Sequence, residues 1–374
     1  MPPGSGSPHL VLVGGGHAHL YTLRRLRVLI GRGIAVTLVT PDRFHYYSGM
    51  GPGMLGGRYR PEDIRIDVQS LAEGGGARCV VAPAERINSQ ARRLHLADGT
   101  TLSYDALSLN IGSIVADNPL PSDCIVPVKP IANLVAARER LLAVARSKPP
   151  HVLVVGGGAA GVEIAGNVRR LLRDRGDITL VASSPILHRF PPRAREVVLN
   201  ALAESRIETV EGVSVKGWMD GGAVLSDGRT VAWDLALVAT GVKPPALLGE
   251  CGLPLAPDGS LLVDRFLRST GSPAVFGGGD CITLAEQPLP RVGVYAVRQG
   301  PILFHNLQAQ LTGKRLLPFN PQRSFLQLLN LGDDTALLVR NGIVWRGRLA
   351  FRLKDFIDRR FVESFAGKMS GAAG

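Results

Sequence analysis

The sequence predicts an α/β protein of two Rossmann-like domains in the three-layer ββα arrangement, closed by a short C-terminal α+β segment. Three observations carry this expectation. Leu10–His19 is a short apolar run that breaks into a glycine turn, after which Leu20, Leu23, Leu26 and Ile30 recur at helical spacing. His151–Gly161 repeats the pattern. The offset that carries Gly14 onto Gly156 also carries Thr37-Leu38-Val39 onto Thr179-Leu180-Val181, so both strand–turn–helix–strand units share one internal spacing.

The turns read as dinucleotide sites. Gly14 permits the tight turn. Gly16 removes a side chain where a pyrophosphate must approach backbone N–H groups, and His17 and Ala18 open a helix whose N-terminus faces the phosphates. His19 stands at the third glycine position, so the first fingerprint is imperfect. The second is complete, with Gly156, Gly158 and Gly161, and Val162-Glu163-Ile164-Ala165 opens its helix. The alternative is a pair of α/β units that use glycine only for strand–helix packing.

The remaining elements follow in order. Pro41–Gly53 is too rich in glycine and proline for a regular element, and its aromatic cluster suits the wall of a flat cofactor or a packed loop. Cys79–Val81, Arg93–Leu96 and Thr101–Leu102 read as short strands, with a turn at Asp98-Gly99. Tyr104–Leu109 leads into Asn110-Ile111-Gly112-Ser113, a strand end where backbone passes close to something. Pro119–Pro130 reads as a stiff linker and Ile131–Arg146 as a helix. Asp234–Gly241 resembles Asp105–Gly112, which supports a duplication. Pro273–Cys281 reads as a strand stopping at Gly279-Asp280, whose carboxylate can accept hydrogen bonds from ligand hydroxyls. Arg291–Leu311 reads as a helix kinked at Pro301. Ser324–Gly347 alternates as two or three antiparallel strands, with turns at Gly332–Asp334 and Asn341-Gly342. A basic helix, Leu349–Phe365, ends the fold. The expected division is 1–118 and 246–315 for the first nucleotide domain, 119–245 for the second, and 316–374 for the C-terminal segment.

Composition narrows the class. With 374 residues there is room for two or three domains, and 45% hydrophobic against 20% charged residues is an ordinary globular balance. The net charge of +12 suits anionic cofactors, an anionic membrane surface or nucleic acid. No aromatic–basic interleaving accompanies it, so nucleic acid is not expected. Cys79, Cys124, Cys251 and Cys281 form no Cys-x-x-Cys pair, so neither a metal site nor a disulfide framework is expected. Residues 1–8 lack the regions of a signal peptide and no apolar run reaches spanning length, which points to the cytoplasm.

The order Gly14-x-Gly16, Gly156-x-Gly158-x-x-Gly161, Ala239-Thr240-Gly241 and Gly279-Asp280 resembles the two-dinucleotide-fold flavoproteins of the pyridine nucleotide-disulfide oxidoreductase superfamily, over nearly the whole chain. The resemblance implies FAD in the first unit and NAD(P)H in the second. It also implies Asp280 on the flavin's ribityl chain and Gly112 and Gly241 crossing near the cofactors. A cysteine pair after Tyr47, needed by the disulfide reductases, is missing. The short ending and Ala296-Val297-Arg298-Gln299 look like type II NADH:quinone dehydrogenases and sulfide:quinone reductases. Phe44–Gly57, Val126–Pro130 and Gly293–Pro301 resemble the flavoprotein domain fused to selenophosphate synthetase. That likeness implies either a dehydrogenase or a flavoprotein partner module in selenium metabolism. Superfamily members usually carry an acidic residue at the end of the second strand to hold the adenosine ribose. Here Thr40 and Ala182 stand there, with Asp42 two residues late in the first site and His188, Arg189 and Arg193 near the second.

The chemistry expected is hydride transfer from NAD(P)H to FAD and reoxidation by a second acceptor, a quinone or another small molecule. Glu163 is the candidate catalytic side chain, poised to reach the nicotinamide; otherwise it is a first-turn carboxylate favoured by the helix dipole. Lys129 and Lys243 read as solvated or phosphate-side charges, and His17, His19 and His45 as hydrogen-bonding groups around the FAD. A sulfide:quinone reaction would need paired cysteines flanking the flavin; Cys124 and Cys281 are the candidates, and Cys281 beside Asp280 reads as a small buried core residue. On the last helix, Leu349, Leu353, Phe356, Ile357, Phe361 and Phe365 share one face, with Arg346, Arg348, Arg352, Lys354, Arg359 and Arg360 around the rest. That face either packs on the core or rests, with Trp345, in an anionic membrane surface.

Overall fold

The computed structural model describes residues 6–116 and 123–366. Two five-stranded parallel sheets dominate it. The first has the order Val275–Gly277, Ala106–Leu109, His9–Val13, Ala35–Thr40, Arg78–Val81. The second has the order Ile125–Pro127, Leu235–Val238, His151–Val155, Asp177–Ala182, Glu208–Glu211. Their central strands are apolar runs buried on both faces, as parallel strands under helices must be. Each sheet carries a three-stranded antiparallel layer, Ala84–Ser103 in one and Val215–Ala232 in the other.

The duplication extends to side chains. His9 N–H donates to Asp105 Oδ2 at 2.7 Å, and His151 N–H donates to Asp234 Oδ2 at 2.8 Å. Each aspartate thus ties the start of the strand after the antiparallel layer to the start of its unit's first strand.

Four expectations change. The run after Gly16 forms two short helices, His17–Leu23 and Leu26–Ile30, because Arg25 leaves helical geometry at φ −121°, ψ 16°. The stretch taken for a loop holds a strand, Phe44–Tyr46, paired with Arg65–Asp67, and a buried helix, Gly51–Leu55. Pro52 stands at the start of that helix, where its missing N–H costs nothing. Its glycines serve packing: a Cβ at Gly51 would come 2.9 Å from Ile131, and one at Gly56 2.7 Å from Asn167 Oδ1. The expected linker contains the edge strand Ile125–Pro127, and an edge is where Pro127 is tolerated; Pro119 and Pro121 lie outside the described residues. Ala84–Asn88 is a strand that the sequence reading left out.

The helix Gly293–Thr312 runs through Pro301 and packs on His17–Leu23. At the end, Gln327–Asn330, Ala336–Arg340 and Ile343–Gly347 form an antiparallel sheet. Asn341 and Gly342 both take positive φ, the signature of a two-residue type I′ hairpin. The last helix, Arg348–Glu363, lies against this sheet. Among the described residues no helix is long and apolar enough to cross a membrane.

Candidate functional site

Both glycine turns sit at the carboxyl ends of their central strands, where open α/β sheets bind ligands. Gly14 and Gly156 adopt φ +88° and +128°, and a Cβ on either would collide with the adjacent strand end, at Asn110 O and Ala239 O respectively. The two turns then diverge. At Gly161 a Cβ would strike Gly156 O, so only glycine lets that helix close on its strand. The equivalent His19 is fully buried and bridges the gap: Nδ1–H donates to Gly14 O at 2.6 Å, and Nε2 lies 2.8 Å from Ser108 Oγ. The imperfect fingerprint is therefore a strut between two strands.

Asn110 is legible in the sequence only as part of a strand end, and the role of its side chain is not. Its Oδ1 accepts from Ala18 N–H at 2.9 Å and His19 N–H at 3.2 Å, while Nδ2 donates to Gly278 O at 2.6 Å. A Cβ at Gly16 would lie 2.5 Å from Asn110 Oδ1, so Gly16 serves this contact as well as any ligand. The signal available was a polar residue ending a buried apolar strand. Gln299, from the run noted for its resemblance, is likewise buried, and its Oε1 accepts from Gly279 N–H at 2.7 Å. Gly279 itself takes φ +76° beside Asn110.

Asp280 Oδ2 accepts from Ser113 Oγ and from Lys129 Nζ, both at 2.7 Å. Burial alone would raise this carboxyl, but the Lys129 ammonium and these hydrogen bonds hold it below the ordinary range, so it stays charged. Lys129 is thus a half-buried partner of Asp280, not the solvated charge expected. A small cleft lined by Gly279, Asp280, Arg291, Tyr295 and Gln299 opens beside the carboxylate. His17 and His45 pack edge to face with ring centroids 4.8 Å apart. Desolvation lowers them to about 4 and about 3, so both are neutral near pH 7. Among the described residues, the Nε2 atoms of both rings are buried with no hydrogen-bond partner. Unpaired buried nitrogens beside a charged Asp280 fit a site that takes a polar ligand. Thr40 Oγ1 donates to Asp42 O, and Asp42 Oδ1 accepts from Phe44 N–H at the exposed end of the second strand. Gly112 adopts φ +69° with open space around it.

The second site is more open. A Cβ at Gly158 or at Gly241 would meet nothing within 4 Å. Among the described residues, no side chain caps the helix Ala159–Leu172, and Thr240 Oγ1 is buried with no partner. Free helix N–H groups, an orphan hydroxyl and an unfilled cradle fit a pyrophosphate.

Between the two sites lies a buried polar cluster. Glu163 Oε1 accepts from Asn330 N–H at 2.8 Å. Burial pushes its carboxyl up to about 7, with nearby Lys354 acting in the opposite sense. Lys354 Nζ donates to Gly49 O and to Asp358 Oδ2, both at 2.7 Å, and Asp358 Oδ1 accepts from Tyr47 OH at 3.0 Å. Burial raises the Tyr47 phenol too, so it remains protonated. The Tyr47 ring lies 5.4 Å from His17 and 4.7 Å from Phe361. A continuous line of contacts thus joins the first glycine turn to the last helix.

That helix buries two of its charged residues, Lys354 and Asp358, together with three apolar ones. Ala350, Phe351, Lys354, Asp358 and Val362 are its buried face. Of the six apolar residues expected on one face, Phe361 packs inward on Tyr47 and His17, with Phe365 5.1 Å from it. Leu349 (62% exposed), Leu353 (40%), Phe356 (60%) and Ile357 (41%) face out, beside Trp345 and Ile343. Lys354 is buried rather than part of the basic surround, because Asp358 and Gly49 O satisfy its ammonium.

Comparisons with known proteins agree with this architecture. A family model described as pyridine nucleotide-disulphide oxidoreductase matches residues 8–300. An NADH dehydrogenase-like protein of Mycobacterium tuberculosis is 32% identical over 234 residues; the match spans 58% of this chain and only 58% of the relative's length. An alternative NAD(P)H-ubiquinone oxidoreductase of Arabidopsis thaliana is 24% identical over 383 residues, covering 90% of this chain and 72% of the relative. The solved sulfide:quinone oxidoreductase of Aquifex aeolicus superposes with a TM-score of 0.81 at 18% identity, covering 98% of this chain and 93% of the other.

Proposed function

Since this chain belongs to the pyridine nucleotide-disulphide oxidoreductase family, we propose that it is an FAD-dependent NAD(P)H dehydrogenase that passes electrons to a quinone-class acceptor. FAD, when bound, supplies the electron-transfer chemistry between nicotinamide and acceptor. The chain's own residues bind, orient and manage protons. The turn at Gly14–Gly16 and the helix opening at His17 receive the FAD pyrophosphate, with Ala18 holding that opening in place through its N–H bond to Asn110 Oδ1. Charged Asp280, held by Lys129 and Ser113, accepts from ligand hydroxyls. Gly156, Gly158, Gly161 and Gly241 form the NAD(P)H cradle. Glu163 holds a proton at Oε2, since Oε1 is engaged by Asn330 N–H, and its affinity for that proton lies near neutrality. Reduction of a quinone consumes protons, and a carboxyl tuned to about 7 suits a proton carrier.

The observation that carries this reading is the pairing of two glycine turns at equivalent sheet positions, the second with an unfilled cradle at Gly158. Gly158→Val adds a side chain into open space, so the variant should purify with full flavin absorbance but lose bleaching by NAD(P)H. Bleaching at the wild-type rate, or loss of flavin from that variant, overturns the assignment. A sulfide:quinone reaction is less well supported, because Cys281, beside Asp280, is a buried thiol pushed up to about 12 by desolvation.

The exposed stripe Leu349, Leu353, Phe356 and Ile357, with Trp345, is flanked by exposed Arg348, Arg352, Arg359 and Arg360. A basic amphipathic surface of this kind binds anionic lipid by apolar burial plus charge. Quinones dissolve in that phase, so this reading places the acceptor at the membrane side of the cluster around Glu163.

A further inference from the structure

The adenosine end of the second site has a chemistry that the glycine cradle does not explain. The strand Asp177–Ala182 ends on Ala182, where a carboxylate would bind a free ribose 2′-hydroxyl. Ala182 is buried against the fingerprint, its Cβ 2.7 Å from where a Cβ of Gly157 would lie. Leu187 N–H donates to Gly157 O at 2.8 Å, so the turn after the strand is tied to the glycine loop. What this turn carries is therefore set at the mouth of the cradle.

It carries donors. Ser183 is exposed, and Ser184 Oγ lies 3.3 Å from His188 Nδ1. Arg189 and Arg193 are exposed and form no ion pair among the described residues. The nearest carboxylate by topology, Glu211 at the end of the adjacent strand, is already engaged. Its Oε1 accepts from Ile186 N–H, and its Oε2 pairs with Arg195 at 2.6 Å. A dianionic group seated here would find hydroxyls, an imidazole and the guanidiniums of Arg189 and Arg193 within one turn and the start of the next helix, while the carboxylate of Glu211 is already neutralised.

We propose that the turn Ser183–Arg189, with Arg193, is a 2′-phosphate subsite, so that this chain selects NADPH over NADH. The inference rests on the reading of the second unit as the NAD(P)H site. Binding to the flavin-loaded protein tests it without turnover, using adenosine 2′,5′-bisphosphate and 5′-AMP as probes in titration calorimetry. The bisphosphate should bind at least about tenfold more tightly, a preference that shrinks as salt rises. Arg189→Ala and Arg193→Ala should each lower bisphosphate affinity several-fold while leaving 5′-AMP affinity and flavin content unchanged. Equal affinity for both probes overturns the subsite and leaves the NAD(P)H assignment standing. Binding of neither probe, or binding that survives in Gly158→Val, overturns both. A bisphosphate preference untouched by either arginine variant also overturns the subsite.

Discussion

Single residues decide how two units of the same plan end in differently built turns. Asn110 and His19 fill the first turn with protein contacts, whereas the second leaves its helix N-terminus bare. Asn110→Ala removes an acceptor from two buried N–H groups and a donor from Gly278 O. At about 1–3 kcal/mol for a buried group left unpaired, urea denaturation should report a loss of that order. Glu163 gives a pH signature. Its folded-state affinity for the proton is raised from 4.5 to about 7, so its contribution to stability is complete below pH 4.5 and is lost as pH rises through about 7. Glu163→Gln keeps an acceptor for Asn330 N–H but cannot ionise. Thermal melts should show the wild type losing stability relative to this variant between about pH 5 and 8, and the variant should lose any inflection near neutrality in its rate of acceptor reduction. Parallel melting curves for the two proteins across that range would sink the assignment. Asp280→Ala leaves Lys129 without its carboxylate and should lower flavin occupancy in the purified protein, read from the ratio of flavin to protein absorbance.

At the scale of elements, the last helix is the informative one. Its hydrophobic periodicity is plain in the sequence, yet the core takes Lys354 and Asp358 and leaves Leu353 and Phe356 in solvent. The buried pair is viable because every strong group is matched: Lys354 by Gly49 O and Asp358, Asp358 by Tyr47, and Asp355 by Tyr59. Breaking it from one side should be expensive, so Lys354→Ala should cost about 3–5 kcal/mol in urea denaturation. The double variant Leu353→Glu with Phe356→Glu alters only exposed positions and should change stability little. It should nonetheless abolish flotation with acidic liposomes and quinone reduction, while sparing reduction of a small soluble dye. If the unaltered protein never floats with acidic liposomes at low salt, the membrane reading fails and a soluble acceptor takes its place. The short helix Gly51–Leu55 teaches a related lesson. Its glycines and proline suggest a loop from composition alone, but they let backbone press against Ile131 and Asn167 and so fix the segment that holds Gly49 and Tyr47.

On the scale of the whole molecule, two parallel sheets present their turns while the C-terminal segment touches both units. Asn330 reaches Glu163 on the second unit's helix, and Lys354 and Asp358 reach Gly49 and Tyr47 beside the first turn. Ligands at the two turns should therefore stabilise the fold through separate linkages. FAD at a hundredfold excess over its dissociation constant contributes about 2.7 kcal/mol, which should raise the melting temperature of flavin-depleted protein by a few degrees. Gly158→Val should keep that shift and lose the further one produced by a nicotinamide nucleotide. The net charge of +12 acts at this scale as well: screening should release the protein from acidic liposomes at high salt.

The sequence by itself determined the duplicated frame. Strand, glycine turn and helix are local patterns, so Leu10–Gly16 and Val152–Gly158 declare themselves, as do Asp105 and Asp234 at matching strand starts. The hairpin at Asn341-Gly342 is legible for the same reason, since its turn chemistry is contained in two residues. Only the tertiary structure decided which side of the last helix is buried, because the partners of Lys354 and Asp358 lie some three hundred residues away at Gly49 and Tyr47. It alone decided that Lys129 neutralises Asp280 and that Asn110 holds three backbone segments together. Periodicity reports that a face is apolar. It carries no information on whether distant polar groups will converge to make the opposite face the cheaper one to bury.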